Sequence, residues 1–155
     1  MVKQKQVPVG IKLIIGFFIL NLIIFILGQG GAVISYDFAA KLGLQEARET
    51  IDPVIVVVNR GIGLADVLIG VPLFICAVIG LWRLKFFGAV CSWIVLGISL
   101  YWTTVAWAKQ SFYIQASVKS QPFNIGVHGV LAFVFIFSVW ASWHLFRNRK
   151  LFDKA

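Results

Sequence analysis

The stretch VIVVVNRGIGLAD, Val54–Asp66, decides the fold because its letters suit two incompatible structures. An apolar β-branched run followed by Gly-x-Gly suits a strand feeding a dinucleotide-binding turn. The same run suits the polar entrance to a membrane-crossing helix, with an acid just inside it. A dinucleotide fingerprint needs G-x-G-x-x-G between strand and helix, so that backbone can approach a pyrophosphate. Here Asp66 stands at the third glycine position and puts a negative charge where phosphate would approach. Next comes LIGVPLFICAVIGLW, Leu68–Trp82, too long and apolar for a surface crossover helix. The membrane reading accounts for every residue of the stretch.

Working outward, the whole chain has the same character. Of its 155 residues 60% are hydrophobic and 13% charged, and the mean hydropathy is +0.92. Soluble domains average roughly 25% charged residues. Crossing a hydrocarbon core takes about 20 mostly apolar residues. Four segments reach that length: 11–30, 62–82, 86–107 and 125–146. The expected fold class is an all-α integral membrane protein: one polytopic domain over 1–155, a four-transmembrane-helix bundle. An additional short helix is expected in the 31–58 segment. That stretch, from Ser35 to Pro53, has helix-forming composition. It would lay Phe38, Leu42 and Ile51 on the membrane surface and turn Glu46, Arg48 and Glu49 to water. The first apolar run exceeds the usual length of a signal-peptide core, so it is read as a retained span.

Charge gives orientation. The N-terminus, the 83–85 turn and the C-terminus hold nine of the fourteen Lys and Arg residues, Lys3, Lys5 and Lys154 among them. Basic residues near span ends stay in the cytoplasm. Both termini are therefore expected there, in a plasma or inner membrane, with 31–58 on the opposite side. The same placement explains the net charge of +8 without nucleic acid as a partner. The expected partners are the lipid bilayer and either another membrane protein or a second copy of the chain.

Inside the spans, Asp52-Pro53 is a helix start, with an acidic cap and proline in the first turn. Asn59, Gly63, Asp66 and Gly70 recur at three and four residues and form one stripe. Gly88, Ser92 and Ser99 belong to a second stripe on the third span. The two are expected to pack together, with hydroxyls bonding across helices. A hairpin centred on the 83–85 turn sets Asp66 level with Tyr101, Cys76 with Cys91 and Arg60 with Trp107. His128 reaches a similar depth from the fourth span. Asp66, Tyr101 and His128, with Arg60 and Thr104 slightly higher, are thus expected to line one outward-facing cavity. In the functional reading Asp66 binds a proton or cation and His128 titrates near neutral pH. In the structural reading Asp66 is hydrated or paired with Arg60, and its shallow depth favours this one.

No catalytic, metal or cofactor set is expected. The chain has no G-x-S-x-G turn, no H-E-x-x-H helix and no P-loop. Its two cysteines, Cys76 and Cys91, lack the neighbours a zinc site needs and read as small buried packing residues. Asn21 is expected to reach into the helix seam or to support self-association. The functional expectation is an accessory, assembly or scaffold subunit without its own catalysis. The alternative is an oligomeric small transporter or channel with Asp66 as the coupling residue.

Overall fold

The computed structural model describes residues 6–152; Lys3, Lys5 and Lys154 of the charge argument lie outside them. Val54–Asp66 is helical throughout, and there is no strand among the described residues. In chain order the helices are α1 (Val9–Ile34), α2 (Tyr36–Lys41), α3 (Pro53–Trp82), α4 (Phe86–Gln115) and α5 (Ile125–Arg147). All except α2 are long and apolar enough to span a membrane. α2 has only six residues, and the rest of the 35–52 segment is irregular apart from a 3-10 turn at Arg48–Thr50.

Local chemistry sets these boundaries. Asp52 Oδ1 accepts the Val54 N–H at 2.9 Å and Pro53 fills the first turn, so α3 starts nine residues before the apolar segment 62–82. Asn124 Oδ1 caps α5 in the same way, accepting from Gly126 and Val127. α2 stops where Gly43 adopts a left-handed φ of 71° and hands its N–H to the Ala40 carbonyl. Leu84, with φ 51°, makes the tight turn between α3 and α4 and buries its side chain in doing so.

α3 lies between α1 and α4, α5 packs on α4, and a stacked pair, Phe17 on Phe137 at 4.3 Å, joins α1 to α5. Toward the end carrying the 83–85 turn (the turn end), the bundle is filled by Ile14, Phe18, Phe74, Leu96 and Leu145, all essentially inaccessible. A second, smaller cluster sits at the opposite or loop end, where Ala32, Tyr36, Ile51, Ile55 and Val56 are buried together. Leu20, Ile24, Leu68, Ile69, Val130 and Ile136 stay exposed on the outside of the bundle.

Two helices carry a single π turn: Ile26–Gly30 in α1 and Asp66–Gly70 in α3, and the two face each other. Pro72 explains the second. Its ring would clash with the carbonyl four residues back, Leu68, and it supplies no N–H. A widened turn containing Leu68 relieves that conflict without ending the helix.

The expected pairing of small-residue stripes is corrected by this packing. A Cβ on Gly63 would come 2.8 Å from the Gln29 carbonyl oxygen, and one on Gly70 3.3 Å from the Phe25 ring, so both face α1 rather than α4. α4 instead meets α3 at Gly88 against Gly80, where an added Cβ would lie 2.2 to 2.3 Å from backbone atoms. The hydroxyls do not bond across helices either. Ser92 donates to Gly88 O at 2.6 Å and Ser99 to Val95 O at 2.9 Å, each within its own helix. Asn21 likewise turns back to Phe17 O. A helix carbonyl four residues back is always within reach of a short polar side chain, which explains all three.

Candidate functional site

The five residues expected to share a cavity are dispersed. His128 lines a cavity at the loop end, whereas Asp66, Tyr101, Arg60 and Thr104 do not. Tyr101 is 69% exposed on the outer surface of α4. Arg60 Nη2 donates to the Val33 carbonyl at 3.1 Å and takes no part in an ion pair with Asp66. Thr104 bonds to Leu100 O in its own helix. Equal depth does not guarantee contact, because a helix also has to turn the right face.

Asp66 opens the π turn of α3 with Oδ2 buried and without a hydrogen-bond partner. Its neighbour on α4 is Trp102 rather than Tyr101. Trp102 also lines the cavity, whereas Asp66 does not.

The cavity has a volume of about 510 Å³ and is walled by α3, α4, α5 and the 40–47 segment, with Gln29 reaching in from α1. That volume falls within the roughly 300–1,000 Å³ typical of small-ligand sites. Its polar wall is built on a directional relay. Gln45 Nε2 donates to the Gly28 carbonyl at 3.4 Å, which turns Gln45 Oε1 toward Asn59. Asn59 Nδ2 donates to that oxygen at 3.5 Å and to the Tyr36 hydroxyl at 3.4 Å. Asn59 Oδ1 is left to accept from Lys109 Nζ, also at 3.4 Å. A carbonyl only accepts and an amide nitrogen only donates, so the first bond fixes the orientation of every later one. The Lys109 ammonium lies 5.7 Å from the centre of the Tyr113 ring.

Glu46 lines this cavity and does not simply face water, and Ile51 is buried in the loop-end cluster rather than laid on a membrane surface. Phe38 and Leu42 are exposed, as an interfacial pair would be. Arg48 pairs with Asp37 and lies over the Tyr36 ring, and Asp52 N–H bonds to Lys119 O at 2.8 Å. The Arg48 contacts close the 35–52 segment on itself, and the Asp52 bond joins it to the 116–124 loop. Burial pushes the Tyr36 phenol above its ordinary value, against the opposite pull of the Asn59 hydrogen bond.

The residue that sequence reasoning missed is Lys109. A third span ending at Trp107 leaves Lys109 outside it. α4 in fact continues to Gln115. The missed signal was periodic: Trp102, Ala106, Lys109 and Tyr113 recur at four, three and four residues, the spacing of one helix face.

Cys76 and Cys91 are free and adjacent across α3 and α4, but Cys76 is exposed and Cys91 half-buried rather than both buried. Among the described residues no group of three His, Cys, Asp or Glu side chains is placed to hold a metal ion. Comparison with protein-family models, curated proteins and solved structures gives no match.

Proposed function

We propose that the chain crosses a bilayer four times, with its termini in the cytoplasm and the 31–58 segment on the opposite side. In this reading it is an accessory, assembly or scaffold subunit without catalysis of its own. Lipid would cover the exposed Leu, Ile and Val side chains on the outside of the bundle. The observation that carries the accessory reading is the closed end of the cavity. Toward the turn end the helices are filled by Phe18, Phe74 and Leu96, so a single copy offers a bay and no through-route. A bay suits a protein that receives a ligand or a partner's side chains.

Native mass spectrometry after gentle extraction tests this. A stoichiometric second protein, displaced when Ala106→Trp fills the bay, is the expected result. A homo-oligomer that carries solute flux in liposomes overturns it.

One observation favours a second reading, an oligomeric transporter or channel. Asp66 is an acid with a buried, unpartnered oxygen at an irregular turn of an apolar helix, where coupling residues are found. Asp66→Asn should then abolish coupled flux while leaving expression and oligomeric state unchanged. Undiminished flux in that variant ends the coupling role.

A further inference from the structure

The cavity holds two opposite charges that do not close on each other. Lys109 and Glu46 both line it, and Glu46 is near enough for its charge to act on the ammonium. Yet among the described residues the one ion pair is Arg48 with Asp37. The reason lies in how each charge is held. Lys109 is drawn to Asn59 Oδ1 at the end of the amide relay, over the Tyr113 ring. Glu46 follows two anchored residues: Leu44 is seated against Gly28, and Gln45 is bonded to the Gly28 carbonyl. An ammonium has three donors and only one is used here, which leaves two for the cavity.

We propose that this cavity binds a zwitterionic headgroup of the phosphoethanolamine type, its phosphate on Lys109 and its amine on Glu46. A bare anion would meet the Glu46 charge and a bare cation the Lys109 charge, a conflict sharpened where water is scarce. A molecule carrying both signs on a short bridge satisfies both walls. Trp102 adds an aromatic face to the cavity wall. Val127 and Leu131 of α5 supply an apolar flank along which hydrocarbon can lie. The proposal goes beyond the accessory reading and applies to the bay when no partner side chain fills it. Only its lipid form depends on the chain spanning a bilayer.

The test uses the full chain in detergent micelles and three probes: free O-phosphoethanolamine, dihexanoyl-phosphatidylethanolamine and dihexanoyl-phosphatidylglycerol. Affinities are read by calorimetry and native mass spectrometry. The expected result is saturable binding of at least one of the two ethanolamine probes. Lys109→Gln and Glu46→Gln should each weaken it about tenfold or more, the scale of one charge-assisted hydrogen bond. Binding of the free headgroup as tight as that of the lipid assigns a soluble source; binding of the lipid alone assigns a membrane source. Failure of both ethanolamine probes overturns the proposal, and so does equal affinity for the glycerol lipid. Should the charge variants not fold, Ala106→Trp decides. It fills the cavity with both charges kept, and undiminished affinity in it overturns the proposal.

Discussion

The two ends of the bundle solve the packing problem by opposite means. At the turn end the helices touch through small residues and aromatic rings: Gly80 against Gly88, Phe18 edge-on to Phe74 at 5.8 Å, Phe17 stacked on Phe137. At the loop end a comparable space is left open and is spanned by amides and one ammonium, at distances of 3.4 to 3.5 Å. Close packing needs no partner to be complete. A loosely bonded polar wall does, because Lys109 Nζ and Gln45 Nε2 each keep an unused N–H donor. The difference separates what holds the protein together from what is available to bind, and each half can be attacked by itself.

The largest effect is expected from Gly80→Ala. Its new Cβ would lie 2.3 Å from Gly88 Cα and 2.6 Å from Gly88 N, both backbone, with no flexible side chain to yield. Overpacking a core typically costs about 1–3 kcal/mol, and a clash between two helix backbones belongs above that range. Folded yield on size exclusion should collapse. Gly97→Ala, where the added Cβ meets open space, should leave yield and thermal midpoint unchanged. Equal behaviour of the two variants would remove the close-contact account of the turn end.

How far the sequence reveals these halves depends on the range of the forces involved. The start of α3 was legible because a cap is local: Asp52 and Pro53 act on the next two residues and need no tertiary knowledge. The four apolar segments were legible because length and apolar composition are read directly from consecutive residues. The rotation of each helix was not, since Gly63 and Gly70 read the same whether they face α1 or α4. The π turn at Asp66–Gly70 then shifts the register of everything after it. Lys109 was hidden by a boundary set at Trp107, and the candidate cavity lost its central charge with it. Tyr101 was over-read for the complementary reason, equal depth standing in for contact. Cys76 and Cys91 show the case where depth sufficed, because a three-residue turn leaves neighbouring helices little freedom near it.

A smaller effect, confined to the loop end, is expected from Asn59→Leu. It removes the acceptor of Lys109 and the donor to Gln45 and Tyr36 in one step. Leaving buried polar groups without partners costs about 1–3 kcal/mol. Because Gln45 and Tyr36 anchor the 35–52 segment, the loss should appear as faster limited proteolysis at Lys41 and Arg48. Hydrogen exchange at the buried Phe74 and Leu81 should not change. Faster exchange there as well would mean that the two ends form one cooperative unit.

The smallest effect concerns alkaline pH and Tyr36, whose phenol burial holds above its ordinary value near 10. Between the unfolded and folded values the native state keeps a proton that the unfolded chain has lost. The slope of unfolding free energy with pH is then negative, so this contribution is complete below about pH 10 and is lost as pH rises through the folded value. Tyr36→Phe has no proton to lose. Its thermal midpoint should start below the parent's at neutral pH, since Asn59 Nδ2 loses the hydroxyl as acceptor. It should then fall less steeply than the parent's above pH 10, and the two curves should converge. Parallel curves would place the alkaline sensitivity elsewhere. The loop-end cluster around Tyr36 would then tolerate a phenolate, which a site sealed by Ile51, Ile55 and Val56 should not.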